Sequence, residues 1–399
     1  MKINLGVIFG GQTVEHEVSV ISALQAIQNI DRDKYNVVPI YISKDKTWHT
    51  GHMLEDIETY KNFDDLKKYS KKVVLVKQGE EFYLQKVDGL FRKNITQLDV
   101  ILPIVHGNNV EDGSLAGYLE TVGIPYAGSN VLASALGQDK IVLKQVLKSA
   151  GIPITDYICF FDNEYIEDKD EILKKVKKLG YPVIVKPATL GSSIGISKAK
   201  NENELETSIE EAIKYDNKIV IEECIDNLIE VNSSVLGNYE YQRVSVLEEV
   251  IGDDEILSYQ DKYMSSSKIK GTSSGSKGMA STRRIIPARI SKELTKDIEN
   301  TSKEVFKILN LSGVCRIDYL IDSKKNKYYV NEPNTIPGSL AFYLWKESNI
   351  EYRQLLDEII SIAIKEYKNK SKKLRSFDTN IFEGYNKSSG LKGLKGLKK

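Results

Sequence analysis

The stretch "VIVKPATLGSSIGISK", residues 183–198, decides how the chain is read. An apolar run of buried-strand character ends at Lys186, and a loop rich in Gly and Ser follows. Backbone N–H groups in such a loop can cradle phosphates, while a lysine supplies a point charge. No G-x-x-x-x-G-K-[ST] pattern is present, so this is not a Walker A loop, and it does not match a dinucleotide fingerprint. A plain Gly/Ser hairpin is the simpler alternative. The surroundings favour a nucleotide site. Upstream, "QDK" supplies Lys140; downstream, "VIEE" and the residues after it supply Glu222, Glu223 and Glu230 at a hinge. Two lysines suit phosphates, and acidic groups suit the hydroxyl and amino donors of adenosine.

A second stretch, "VNEPNTIPGS" (330–339), sets Glu332 and Asn334 on one face between two prolines. In "CRIDYL" (315–320), Arg316 and Asp318 also stand two apart and share a face. If the two strands pair as a hairpin through "DSKKNK" (322–327), all four groups converge. Asp, Glu and Asn oxygens suit Mg²⁺, which takes few protein ligands and fills its shell with phosphate oxygens and water. An arginine beside them suits phosphate or a developing oxyanion. The alternative is a solvated acid–base ladder, which the proline fences and Gly338 disfavour.

Two strand ends add candidates. "GGQTVEHEVSV" (10–20) puts Glu15 after a Gly loop and just before a helix, and "IVHGNNVEDGS" (104–114) puts His106 and Gly107 at another strand's end. Ligands bind at that edge of an open α/β sheet, where a carboxylate can hold an ammonium group. Ordinary helix capping competes equally for Glu15. "YQDKY" (259–263) supplies Lys262 and Tyr263 ahead of a polar, basic, Gly/Ser-rich stretch (265–284) that reads as a lid.

Bulk properties narrow the class. With 399 residues the chain is too long for one core. Basic and acidic residues balance at 56 each, so nothing overall steers it to nucleic acid. The apolar N-terminal run is too short for a membrane span and lacks a cleavage site, so neither a signal peptide nor membrane insertion is expected. Three scattered cysteines fit a reducing cytosol, and the four histidines form no metal cluster.

Buried strands are expected at 2–11, 35–43 and 100–107, in a mostly parallel sheet with a helix from about Ser19 to Ile30. A helix at 134–150 closes at Gly151 and Pro153. Two strands (181–187 and 217–225) around a Glu/Lys-rich helix make a small α+β unit. Strands at 230–237, 241–250, 314–322 and 327–333 form a third unit, and an amphipathic helix spans 351–367. The Gly-Leu-Lys repeats at the end work against a stable helix, so 369–399 reads as a disordered basic tail, dispensable for catalysis.

The order of these pieces resembles the D-alanine–D-alanine ligase family of ATP-grasp enzymes. "FGGQTVEHEVS", "VHGNNVEDGSLAGYLE", "GIPYAGS", "ASALGQDK", "VIVKPATLGSSIG", "DKY" and "NEPNTIPG" carry the likeness, over roughly residues 1–365. The resemblance implies an α/β ATP-grasp fold: an N-terminal parallel-sheet domain (1–128), a small central α+β lobe (129–222) and a C-terminal α+β lobe (223–368) with a lid at about 258–285. It implies a cytoplasmic homodimer in which ATP phosphorylates one D-alanine and a second attacks the acyl phosphate, giving the dipeptide of cell-wall precursors. By resemblance Lys140 and Lys186 bind ATP phosphates, Glu222 and Glu230 the nucleoside, and Lys262 the γ-phosphate. Asp318, Glu332 and Asn334 would hold two Mg²⁺ ions, with Mn²⁺ as a substitute. Arg316 and the Gly338 N–H would stabilise the oxyanion. Glu15 would hold the first substrate's ammonium, His106 would lie near its carboxylate, and Ser192 and Tyr263 would link Glu15 to the lid. The chain departs from the family after Gly338: "SLAFYLW" places Tyr343 where a serine usually grips the second D-alanine's carboxylate, leaving Ser339 as a replacement grip or the pocket reshaped for another acceptor. The competing readings are D-serine, D-lactate or another amine as acceptor, and a nucleotide-binding protein without ligase activity.

Overall fold

The computed structural model describes residues 2–61, 63–89, 92–251 and 283–374. Lys262, Tyr263 and most of the expected lid lie outside them, as does the expected tail from residue 375. Described residues up to Ile364 belong to one compact unit, and those from Lys365 to a second. No helix among the described residues is long and apolar enough to cross a membrane.

Seven strands make the first sheet: β1 (Ile3–Gly10), β2 (Tyr35–Ile42), β3 (Trp48–Thr50), β4 (Lys71–Gln78), β5 (Glu81–Lys86), β6 (Asn94–Leu98) and β7 (Val100–Ile104), in the order β6-β5-β4-β3-β2-β1-β7. Helix α1 (His16–Asn29) crosses from β1 to β2 and starts three residues before the expected Ser19. Only β1–β2 and β1–β7 pair in parallel; the four pairs from β2 to β6 are antiparallel. The expected mostly parallel sheet is therefore mixed. The reason is visible in β4, which alternates buried Val73 and Leu75 with exposed Lys72 and Val74. One wet face suits an antiparallel ribbon, whereas β1, buried along most of its length, needs cover on both sides. Helices α2 (Phe63–Tyr69) and α3 (Ser114–Val122) complete this part.

A second, four-stranded sheet contains β8 (Tyr157–Phe161), β9 (Val183–Pro187), β10 (Ser197–Ala199) and β11 (Lys218–Glu223), ordered β10-β9-β11-β8. Helices α6 (Asp162–Glu167), α7 (Lys169–Leu179) and α8 (Glu202–Ile213) surround it; Ile172, Val176, Leu205 and Ile209 share a core with Val183 and Val185. The single helix expected at 134–150 is two, α4 (Val131–Gln138) and α5 (Lys140–Ser149). Asp139 breaks them, because its carboxylate accepts from the Ile141 and Val142 N–H groups and caps α5.

The third sheet contains β12 (Leu228–Gly237), β13 (Gln242–Val244), β14 (Glu248–Ile251), β15 (Arg283–Ile285), β16 (Gly313–Asp322) and β17 (Lys327–Asn334). Its order is β15-β14-β12-β16-β17, with β13 also on β12, so the expected strand 241–250 is two short ones. The strand pairings give this sheet two unlike faces. Val231, Val235, Ile317 and Tyr319 pack with Leu143 and Leu147 of α5 and with Ile298 and Phe306 of α9 (Lys292–Ile308). The other face carries Asn232, Arg316, Asp318, Glu332 and Asn334. Asp318 pairs with Glu332, yet Tyr319 pairs with Val330. The extra residue, Asn331, is a β-bulge, and it lets Val330 and Glu332 face opposite sides despite standing two apart. Helices α10 (Phe342–Glu347) and α11 (Tyr352–Ser371) follow, α11 running four residues past the expected end and into the expected tail.

Ile317 and Asp318 are neighbours on opposite faces, one apolar and one polar. Ile317 is fully buried. Ile317→Ala should cost about 2–5 kcal/mol in denaturant unfolding. A wild-type midpoint would show that this face is not core.

Candidate active site

The lysine-lined side is built from α5, β9 and β11. Lys186 leaves β9 with its Nζ 3.1 Å from Glu222 Oε1 and donating to Asn331 Oδ1 at 3.2 Å. The bulge is what aims Asn331 there. Lys140, at the start of α5, donates its backbone N–H to the Ala188 carbonyl at 2.9 Å and its Nζ to the Leu190 carbonyl at 2.8 Å. Gln138 Nε2 donates to the Thr189 carbonyl and to Asn108 Oδ1, both at 2.6 Å. The Gly/Ser loop is thus moored by the junction of α4 and α5. Beneath it Glu222 is 2% exposed; its Oε2 accepts from Thr155 Oγ1 at 2.9 Å and lies 3.3 Å from Lys144 Nζ. Burial alone would raise the Glu222 carboxyl, but the Lys186 and Lys144 ammonium groups outweigh it and hold the group at about 2. Both Glu222 oxygens are spent inside the protein. Glu223 accepts from the Asp156 N–H at 3.0 Å, and Glu230 is exposed at the start of β12. Lys144, Thr155 and Asn331 were not found in the sequence; a lysine four residues after Lys140 on one helix face was the available signal.

Glu15 stands at the N-cap of α1 but makes no side-chain cap. Its Oε1 accepts from Ser192 Oγ. Glu15 Oε2 lies so close to the Gly107 and Gly191 backbones that a Cβ would meet it at 2.9 and 3.0 Å, so two loops close around this carboxylate. Ser192 and Ser193 both have positive φ, which shapes the loop toward Glu15.

The polar face of the third sheet carries the remaining candidates. Arg316 donates Nε and Nη2 to the two oxygens of Asp318, each at 2.7 Å. Asn334 Nδ2 donates to Asp318 Oδ2 at 3.1 Å, and Glu332 Oε2 is 3.1 Å from Lys140 Nζ. That last contact brings Lys140 to the acidic pair. Among the described residues no group of three or more His, Cys, Asp or Glu is arranged to hold a metal. Asp318, Glu332 and Asn334 offer two carboxylates and one amide, a small oxygen set of the kind Mg²⁺ accepts when phosphate and water supply the rest.

The turn after Pro337 completes the site. Ser339, Leu340 and Ala341 take φ of 52°, 53° and 50°, three successive left-handed residues. Helix α1 holds this turn: Ser22 Oγ accepts from the Ser339 N–H at 3.0 Å, and Ser339 Oγ donates to Gln25 Oε1 at 2.5 Å. Ser339 is therefore turned into α1, contrary to the substrate grip considered for it. His106 is buried, with Ser22 Oγ 3.3 Å from its Nε2, and burial lowers its pKa to about 4, so the imidazole is neutral.

Glu111 is the chief residue missed in the sequence. It accepts from the Gly107 N–H at 3.0 Å, the Ile336 N–H at 3.0 Å and Thr335 Oγ1 at 3.2 Å, tying the β7 loop to the Pro-fenced turn. Burial first, and then the Glu15 charge, push its carboxyl up to about 7 against those hydrogen bonds. The raised value fixes the sign of the pH effect. The folded state binds this proton more tightly than the unfolded chain, so Glu111 contributes stability below the ordinary carboxyl value of 4.5 that is lost as pH rises through about 7. The stability difference between wild type and Glu111→Gln should therefore shift against wild type between pH 5 and 8. A pH-independent difference in melting would contradict it.

Comparison with known proteins accounts for this geometry. Family models described as D-ala D-ala ligase N-terminus and C-terminus match residues 4–129 and 146–361. The D-alanine--D-alanine ligase of Thermosipho melanesiensis is 42% identical over 96% of this chain and 98% of its own. Among solved structures, the D-alanine-D-alanine ligase of Coxiella burnetii has a TM-score of 0.76 at 27% identity, covering 93% of this chain and 98% of its own. The VanG D-Ala:D-Ser ligase of Enterococcus faecalis has a TM-score of 0.75 at 29% identity, covering 91% and 100%. Matched by both family models along most of its length, the chain belongs to the D-alanine–D-alanine ligase family.

Proposed function

We propose that this chain joins two D-alanines with ATP, releasing ADP and phosphate and forming the dipeptide of peptidoglycan precursors. The observation that carries the reading is the 3.1 Å contact between Lys140 and Glu332. It sets phosphate-binding cations and the acidic pair at one point, where a γ-phosphate would be transferred. The lobes that close on ATP would be residues 129–222 and 223–368, with 1–128 supplying the first amino acid's site.

Glu15, fixed by Ser192, takes the donor's ammonium, which leaves the donor's carboxylate toward Arg316. A carboxylate is a poor electrophile, and phosphorylation gives it a leaving group. Lys140 and Lys186 hold the phosphates; Glu222 keeps Lys186 in place. Glu223 and Glu230 face the nucleoside. Divalent ions held by Asp318, Glu332 and Asn334 would neutralise phosphate charge, Mg²⁺ and Mn²⁺ both suiting such oxygen donors. The acceptor's amine attacks the acyl carbon, and negative charge develops on the carbonyl oxygen. Arg316 and the Gly338 N–H stabilise that charge, donors of this type being worth roughly a hundred- to a thousandfold in rate. Neutral His106 and the α1 contacts hold the turn that presents Gly338. Lys262 and Tyr263 would close over the acyl phosphate and exclude water. Two copies would form a homodimer.

A D-serine acceptor is the second reading, favoured by the likeness to a solved D-Ala:D-Ser ligase and by Tyr343 at the acceptor side. Product analysis with ATP, D-alanine and competing D-serine, glycine and D-lactate separates the two. Glu332→Gln should keep the melting temperature and lose most dipeptide formation. Wild-type turnover of that variant at limiting Mg²⁺ would contradict a metal-holding role for Glu332.

A further inference from the structure

Two carboxyl groups share Gly107. Glu111 Oε2 accepts from the Gly107 N–H at 3.0 Å, and Glu15 Oε2 lies so near the same residue that a Cβ there would meet it at 2.9 Å. Glu111 Oε1 reaches the Pro-fenced turn, where it accepts from the Ile336 N–H at 3.0 Å and from Thr335 Oγ1 at 3.2 Å. Gly338 follows just beyond Pro337. Other titratable groups among the described residues frame this carboxyl. His106, on the same loop, faces the Ile336 backbone, and burial keeps it neutral. Cys315 of β16 feels the Glu111 charge, and burial pushes its thiol well above the usual range, so it too is neutral. Arg316 sits in its pair with Asp318 at 2.7 Å.

Glu111 therefore holds the residue beside Glu15 with one oxygen and the backbone leading to the oxyanion donor with the other. Charge decides how firmly it holds them. A hydrogen bond to an ionised acceptor is roughly twice as strong as one between neutral groups. In the protonated form the acid O–H needs an acceptor, and the Thr335 hydroxyl, which can donate or accept, serves either state. With burial and then the Glu15 charge against it, Glu111 titrates at about 7, so both forms are populated near neutral pH. An ammonium on Glu15 offsets that charge and favours the ionised form. A carboxylate has about four lone-pair sites, so an ammonium can join the Ser192 hydroxyl on Glu15.

We infer that Glu111 senses the donor's ammonium at Glu15, gives up its proton to solvent, and thereby tightens its hold on Thr335 and Ile336, setting the Gly338 N–H for acyl transfer. The inference rests on the ligase reading above. It makes Glu111 a positioning residue that couples donor occupancy to the oxyanion turn. Linkage fixes the sign of the effect. Binding that expels a proton strengthens as pH rises toward the value of about 7 and levels off above it.

The test uses the full chain with Mg²⁺ and a non-hydrolysable ATP analogue, titrated with D-alanine in a calorimeter at about pH 6.5 in two buffers of different ionisation enthalpy. Wild type should release a fraction of a proton on binding, read as a buffer-dependent heat, and Glu111→Gln, which cannot ionise, should release none. In turnover the wild-type donor KM should fall about tenfold between pH 5.5 and 7.5. In Glu111→Gln it should stay flat over that range, with the acceptor and ATP KM values near wild type and kcat roughly tenfold lower, as for a lost charge-assisted hydrogen bond. A merely structural role would lower the melting temperature and leave the proton release and the pH slope in place. Equal heats in the two buffers for wild type would overturn the inference, whether or not Glu111→Gln folds. So would a Glu111→Gln chain that keeps the wild-type proton release or pH slope. A wild-type chain that neither binds D-alanine nor forms dipeptide would instead sink the ligase reading, before any variant is compared.

Discussion

The site depends on one buried carboxylate. Glu222 lies between Lys186 at 3.1 Å and Lys144 at 3.3 Å, with the Thr155 hydroxyl completing its shell. Each partner is expensive to bury alone, and removing one from such a cluster typically costs about 3–5 kcal/mol, because the remainder is left uncompensated. The arrangement therefore fixes the position of Lys186, and through Asn331 it reaches the bulge that turns Glu332 toward Lys140. Two lysines and an acidic pair on different sheets are locked to each other before any ligand arrives. That is electrostatic preorganisation: the cost of gathering like charges is met by the fold and not at the moment of reaction.

The polar face of the third sheet is the second constraint. Strand alternation puts Arg316 and Asp318 on one side and Cys315, Ile317 and Tyr319 on the other. The apolar side is core against α5 and α9, so the register cannot slip by one residue without burying the charges. Core packing and the polar cluster are thereby assigned to alternate residues of the same strands. The Ser339–Ala341 turn adds a third element. Three left-handed residues in a row are costly for side chains with a Cβ, and the hydrogen bonds that Ser339 donates to Ser22 and Gln25 anchor the turn. Helix α1 thus supports both Glu15 at its start and the Gly338 turn along its side.

Much of this was legible from periodicity and motif order. Residues two apart in strands share a face, so Arg316 with Asp318 and Glu332 with Asn334 were readable without coordinates. Lys186 at a strand's end before a Gly/Ser loop was equally plain. What stayed hidden depends on distant pairing. Nothing near Glu111 announces that its partners are Thr335 and Ile336, over 200 positions later. Lys144 looks like any helix lysine until β11 brings Glu222 to it. The bulge at Asn331 breaks the alternation by one residue, and only the partner strand reveals it. The mixed first sheet was missed because β4, with Lys71, Lys72 and Lys77, looks like surface. The roles of Lys262 and Tyr263 rest on motif order alone, since both lie outside the described residues.

The central claim is that a D-alanine carboxylate is activated by phosphoryl transfer on the face between Lys140 and Arg316. Its most direct test is isotope transfer. D-alanine labelled with ¹⁸O in its carboxylate, turned over with ATP, should deliver one labelled oxygen to each inorganic phosphate released, because the phosphate leaves with the oxygen it captured. Unlabelled phosphate, formed alongside dipeptide or in its absence, would contradict an acyl phosphate and with it the activation of the donor carboxylate on that face.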